Sequence, residues 1–212
     1  MTKPNNIFLF SKTAYPDVQH IPILQVSYLQ PFIEFSSYDY IIATSKEVFL
    51  ALDKIGPWKH LPVLAISEST AAFAKEKGAK ILDIADGYSK NIVNLVNEKY
   101  SHLKALHPHA KVVAFDLHSE LKELNVFIDS FIVYETECSQ DKTVELPDDA
   151  ICIFTSPSSV HCFEKKYAFL PTYKIVCIGE TTRSALPQGI NAFVSDKTSV
   201  LSTIACAKSL VE

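Results

Sequence analysis

Glycine is scarce here, with five residues in 212. Neither GxGxxG nor GxxxxGK[ST] occurs. Few loops can therefore let backbone approach a pyrophosphate closely, which argues against a nucleotide enzyme. Arginine is rarer still: of twenty basic residues only Arg183 is not lysine. Genomic base composition accounts for that, or Arg183 serves a planar anion contact. No run reaches the ~18 apolar residues of a membrane helix. The opening Met1-Thr2-Lys3-Pro4-Asn5-Asn6 shows no apolar core of signal-peptide length before Lys12, so a cytoplasmic chain is expected. A net charge of −4 argues against a general binder of nucleic acid or membrane surfaces. It leaves room for a local pocket that takes a polyanionic small molecule.

Cys138, Cys152, Cys162, Cys177 and Cys206 are scattered, odd in number and without a CxxC. Cys152 and Cys177 lie in apolar runs and read as small buried hydrophobes. The closest histidine pair, His107-Pro108-His109, lacks flanking ligands, so no metal site is expected. No Ser-His-Asp or Cys-His context stands out.

What is present is ordinary globular composition, 48% hydrophobic and 21% charged, at a length that allows one large domain or two small ones. Continuous apolar runs read as strands: Ile7–Phe10, Ile21–Val26, Tyr40–Ala43, Pro62–Ile66, Lys80–Leu82, Lys111–Phe115, Phe131–Tyr134, Ala150–Phe154, Lys174–Ile178 and Ala192–Val194. Runs without alternation suit strands covered on both faces. Ser45–Lys54, Glu68–Lys77, Asn91–Leu106 and Ser199–Leu210 carry helical spacing. The alternation means an α/β fold with parallel sheets.

An internal repeat organises the chain. Ile41-Ile42-Ala43-Thr44-Ser45 resembles Ile153-Phe154-Thr155-Ser156, and Thr44 to Thr155 is an offset of 155 − 44 = 111. Ile66-Ser67-Glu68-Ser69-Thr70 resembles Ile178-Gly179-Glu180-Thr181-Thr182, with Thr70 to Thr182 an offset of 182 − 70 = 112. Gly78 and Gly189 are read as ending the helices that follow. Two similar α/β units are implied. The Thr-Ser pairs and Glu-x-Thr triplets fall where strands end and helices begin, the edge at which open α/β sheets bind ligands. Helix N-termini there suit anions. Each hydroxyl serves either as an N-cap or as a ligand donor. Recurrence of the whole pattern favours binding. The recurring Glu68 and Glu180 are explained by the helix dipole and stay outside the site.

At Ala43-Thr44-Ser45, Tyr134-Glu135-Thr136, Phe154-Thr155-Ser156-Pro157-Ser158-Ser159-Val160 and Ile178-Gly179-Glu180-Thr181-Thr182-Arg183, the sequence resembles the uroporphyrinogen-III synthase family, from about Tyr40 to the C-terminus. The resemblance implies two flavodoxin-like domains, each a parallel sheet flanked by helices, joined by a two-stranded connector with the active site in the cleft between them. The first domain is then 1–28 plus 139–212 and the second 29–138. It further implies a cytoplasmic, monomeric, cofactor-independent hydro-lyase. Such an enzyme cyclises hydroxymethylbilane, a linear tetrapyrrole with eight carboxylates, with inversion of the last pyrrole ring and loss of water. Tyr134, placed on the connector, is the candidate acid. Ser69, Thr70, Thr181 and Thr182 are candidate carboxylate donors, with Thr44, Ser45, Ser156 and Ser158 secondary and Lys12 and Arg183 further basic candidates. Two departures are visible. Only Ser11–His20 separates the first two strands, too little for a normal helix. Asp116 and Glu120 stand where the family has a basic turn, against anion binding there. The competing readings are a two-domain binding protein for anionic ligands and an inactive relative without catalysis.

Overall fold

The computed structural model describes residues 6–211; the expectation drawn from Met1–Asn5 lies outside them. In chain order its elements are β1 Ile7–Ser11, β2 Gln19–Pro22, β3 Leu24–Tyr28, β4 Tyr40–Ala43, α1 Glu47–Ile55, β5 Val63–Ala65, α2 Glu68–Glu76, β6 Ile81–Ile84 and α3 Ser89–Leu95. Then follow β7 Ala105–Ala110, α4 Leu117–Glu123, β8 Ile128–Cys138, β9 Ile151–Phe154, α5 Pro157–Lys166, β10 Lys174–Cys177, α6 Glu180–Arg183, β11 Phe193–Val194 and α7 Val200–Lys208. The fold is α/β, with parallel sheets flanked by helices.

Two compact units divide the chain. One runs to Gln25 and resumes at Glu137; the other is Val26–Thr136. Both boundaries fall inside strands, β3 and β8. The first unit has a five-stranded sheet in the order β11-β10-β9-β1-β2, parallel throughout. β1 is an inner strand between β9 and β2 and is buried along its whole length, as its unbroken apolar sequence requires. Core residues lie on both faces: Phe8, Phe10, Cys152 and Phe154 on one, Ile7, Leu9, Ile151 and Ile153 on the other. The second unit has a six-stranded sheet in the order β3-β8-β7-β4-β5-β6. β8, β7, β4, β5 and β6 are mutually parallel. β3 joins at the edge with the opposite sense: Leu29 N donates to Val133 O and Ser139 N to Ile23 O, pairing ascending with descending residues. β3 and β8 are therefore the two strands on which the chain passes from one unit to the other and back.

Four expectations are corrected. Ile21–Val26 is not one strand. It breaks at Ile23, and its two parts enter different sheets. Pro22 ends β2 at an open edge, where a residue without an N–H costs no ladder bond. Residues 105–110 form a strand, not the end of a helix, and Lys111–Phe115 is a loop with Val112 85% exposed. β7 must pair with β4 (Tyr40↔Ala105, Ile41↔Leu106) and with β8 (His107↔Ser130). That register outweighs the β-propensity of the following valines. Gly189 does not cap α6, which stops at Arg183 well before Pro187. Gly189 instead occupies a turn at φ +91°, whereas Gly78, at φ +89°, follows Lys77, the C-cap of α2. Apart from these, Cys138 and Cys162, for which no pairing was read, form a disulfide that fastens the end of β8 to α5. A separation of 24 residues carries no sign of that pairing. Between β1 and β2 there is only turn, as the ten-residue spacing suggested.

Trp58 anchors the second unit's larger core. It is fully buried, stacks on Phe49 at 5.4 Å and donates its indole N–H to Asp53 Oδ1 at 3.0 Å. Trp58→Ala should cost about 3–5 kcal/mol, read as a lower urea midpoint with little change in slope. A variant as stable as wild type would remove Trp58 from that role.

Candidate active site

In a parallel sheet every strand delivers its carboxyl end to the same edge, and the helix that follows starts there. In the second unit β4 leads into Thr44 and Ser45, both half-buried. β5 leads into Ser67, whose hydroxyl caps α2 by accepting from Thr70 N at 3.4 Å. Thr70 is 4% exposed, with its hydroxyl 3.2 Å from Ser67 Oγ. It belongs to the cap network, while Ser69 is exposed at the edge. In the first unit β9 leads into Ser156, the N-cap of α5, within a capping box shared with Ser159. Ser158 is exposed on the first turn. β10 leads into α6, where Thr182 is 3% exposed and Thr181 faces solvent. The repeat is therefore physical. Thr70 and Thr182 are both buried at the third helical position, and Ser69 and Thr181 are both open at the second. Lys12 follows the carboxyl end of β1 and is exposed. Arg183 is exposed and pairs with Glu180 of its own helix at 3.3 Å.

Tyr134 sits on β8 opposite Ala110, where the β7–β8 register shifts by one residue. It is 8% exposed. Burial holds its phenol pKa above the ordinary value; a hydrogen bond with Ser45 opposes that, and the charge of Glu47 adds to it. The phenol is thus protonated at neutral pH and able to donate. Sequence reasoning missed its neighbours. Glu47, in the first turn of α1, accepts from the Tyr28 hydroxyl at 2.6 Å and donates its amide to Ser45 Oγ at 3.2 Å. Lys111 donates its amide to Tyr134 O and pairs with Glu135 at 2.7 Å. Glu47 lies only two residues beyond Ser45, but Tyr28 reaches this corner through the β3–β8 pairing, which no local pattern encodes. Asp116 caps α4 by accepting from Ser119 N at 3.1 Å and Ser119 Oγ at 2.7 Å. Its carboxylate has a structural partner.

The sequence matches the model of the family described as Uroporphyrinogen-III synthase HemD over residues 15–204. The chain belongs to the uroporphyrinogen-III synthase family. A search of curated proteins finds no match. Among solved structures, uroporphyrinogen-III synthetase from Helicobacter pylori aligns at a TM-score of 0.85 with 22% identity, covering 98% of this chain and 100% of that one. A mutant uroporphyrinogen III synthase from Thermus thermophilus aligns at 0.59 with 16% identity, covering 96% of each chain. At such identities the likeness is one of fold, and it covers at least 96% of each chain compared.

One histidine cluster borders this edge. His107 is 4% exposed, stacks on His109 at 5.0 Å and shares the Ser130 hydroxyl (3.2 Å) with His118 (2.9 Å). Burial, then the neighbouring His109 and His118, push its pKa down to about 3, against a smaller upward pull from Asp116. The folded state therefore favours neutral His107. Its contribution is whole above the unfolded value near ~6.5 and is lost as pH falls from there toward the folded value, at up to about 1.4 kcal/mol per pH unit. His107→Phe should flatten the stability-against-pH curve between about pH 6 and 4. Denaturant melts across that range check it; an unchanged slope would refute the assignment.

The thiols of Cys152 and Cys177 are pushed up by burial to about 12 and about 11. Neither is a thiolate nucleophile at neutral pH. Among the described residues no group of three metal-ligating side chains gathers, and no helix is long and apolar enough to cross a membrane.

Proposed function

We propose that the chain is an active uroporphyrinogen-III synthase, and that it acts as a cytoplasmic monomer without a cofactor. It takes hydroxymethylbilane, releases the terminal hydroxyl as water and closes the ring with the last pyrrole inverted. The observation that carries this reading is the buried, protonated Tyr134 beside Ser45 at the hydroxyl-rich edge of its own unit, in a chain of this family. Eight carboxylates need many hydrogen-bond donors. The edge of the second unit offers exposed Ser69 and half-buried Thr44 and Ser45, and the edge of the first offers exposed Ser158 and Thr181 and half-buried Ser156, each along with helix amides. Lys12 and Arg183 are exposed in the first unit and Lys111 in the second, Arg183 and Lys111 each with an acidic partner, Glu180 and Glu135. The buried Thr70 and Thr182 hold those first turns in place instead of meeting substrate.

Tyr134 donates its proton, or a strong hydrogen bond, to the departing hydroxyl. The proton lost when the attacked ring regains its aromatic form restores the balance, so no net acid is consumed. The remaining work is orientation, favouring attack at the substituted carbon that leads to the spiro intermediate. Such positioning can be worth ~7–11 kcal/mol in favourable cases.

The deciding experiment generates hydroxymethylbilane with a deaminase, adds the protein, oxidises the products and separates the porphyrin isomers. Type III product is expected. Type I alone from a folded protein would overturn the reading and leave an anion-binding protein or an inactive relative. Tyr134→Phe should lower turnover by about 10²–10⁴-fold if Tyr134 is the main acid. An unchanged rate would remove it from that role.

A further inference from the structure

At the corner of the second unit three elements converge on Tyr134: the end of β3, the first turn of α1 and the middle of β8. Leu29 N donates to Val133 O, which sets Tyr28 beside the strand that carries Tyr134. The Tyr28 hydroxyl donates to Glu47 Oε2 at 2.6 Å, a short charge-assisted bond. The Glu47 amide donates to Ser45 Oγ at 3.2 Å, and Ser45 in turn faces the Tyr134 hydroxyl. Tyr28 is itself held: Lys54 Nζ lies 5.2 Å over its ring.

A carboxylate here is unexpected on binding grounds. Glu47 is half-buried at an edge where a substrate with eight carboxylates would bind, so its charge opposes that substrate. The helix dipole explains a carboxylate in a first turn, as it does for Glu68 and Glu180, but those two are exposed. Glu47 differs in being turned onto a tyrosine from another element. We propose that the Tyr28–Glu47 pair is a positioning device for the reaction. It fixes the first turn of α1, and through it the Ser45 hydroxyl, in the place that orients the Tyr134 proton toward the leaving hydroxyl. Neither Tyr28 nor Glu47 touches the reacting atoms in this scheme.

The inference rests on the synthase reading, and the experiment separates the two. Wild type, Tyr28→Phe, Glu47→Ala, Glu47→Gln and the Tyr28→Phe/Glu47→Ala double variant are assayed with hydroxymethylbilane, and kcat and KM for type III product are measured for each. Tyr28→Phe keeps the ring and its packing, so it is the variant least exposed to misfolding. Both single disruptions should lower kcat by about tenfold to hundredfold, the range a small misplacement can cause. KM should not rise. It should fall for Glu47→Ala and Glu47→Gln, where a charge that repels the substrate is gone. Because the two side chains act through one bond, the double variant should be no slower than the slower single one. Glu47→Gln, which still accepts from Tyr28, should recover much of the lost kcat. Unchanged kcat in both single variants, a rise in KM with kcat intact, or losses that multiply in the double variant would each overturn the positioning role while wild type still makes type III. A wild type that makes only type I overturns the synthase reading, and this inference with it.

Discussion

Parallel strand pairing is the constraint on which this molecule turns. A parallel sheet must be covered on both faces, so its strands are continuous apolar runs joined by helices that cross back over it. The same connectivity brings every strand's carboxyl end and every following helix N-terminus to one side. Polar residues placed after strands are thereby gathered without any long-range pairing of their own. Thr44 and Ser45, Ser67 and Ser69, Ser156 and Ser158, and Gly179 to Thr182 all reach an edge for that single reason. They are also the residues that cap helices, so stability and ligand donation are drawn from the same short segments. The structure divides the labour by position within the turn. Ser67 and Ser156 cap, Thr70 and Thr182 pack inward, and Ser69, Ser158 and Thr181 stay open.

The chemistry that suits this edge is neutral. In a chain with one arginine, the donors at these strand-to-helix edges are mainly hydroxyls, amides and lysines. Such donors bind carboxylates individually weakly and collectively with a defined shape, which suits an enzyme whose task is to choose between two ways of closing a ring. Tyr134 fits the same logic. Its environment raises the phenol pKa, which gives up acid strength and secures the protonated state through the neutral range. Orientation then matters more than proton affinity, and the hydrogen bond with Ser45 bears on orientation directly.

Much of this was legible in the sequence, and the exceptions have physical causes. β4 with α1, β5 with α2, β9 with α5, and α7 are visible because burial on both faces leaves unbroken apolar runs and capped starts. The repeat at an offset of 111 to 112 marked the strand-to-helix edges before any coordinates. β7 was hidden because His107-Pro108-His109 interrupts its apolar pattern. Those side chains are accommodated by Ser130 and by mutual stacking, which only the fold supplies. The decoy Lys111–Phe115 has strand composition but no strand left to pair with. Tyr28 and the Cys138–Cys162 bond were invisible for a related reason, since both depend on the course of β3 and β8. The role of Thr70 and Thr182 was half legible: their recurrence was plain, but not which way they face.

The discontinuity of the first unit has a consequence for how the chain comes off the ribosome. β1 is buried on both faces, and its neighbours in the sheet are β9 and β2. β2 follows within a few residues, but β9 begins at Ile151, which is 151 − 7 = 144 residues after β1 begins. At synthesis rates of about 5–20 residues per second, that interval is roughly 7–30 s. The second unit, Val26–Thr136, is fully emerged during this wait and can complete its own sheet. Throughout, Ile7-Phe8-Leu9-Phe10 remains an apolar strand with one side of its ladder open, the kind of segment that chaperones engage and that pairs wrongly between chains. The inserted second unit therefore keeps β1, a strand buried along its whole length, waiting for β9 until everything between them has been made.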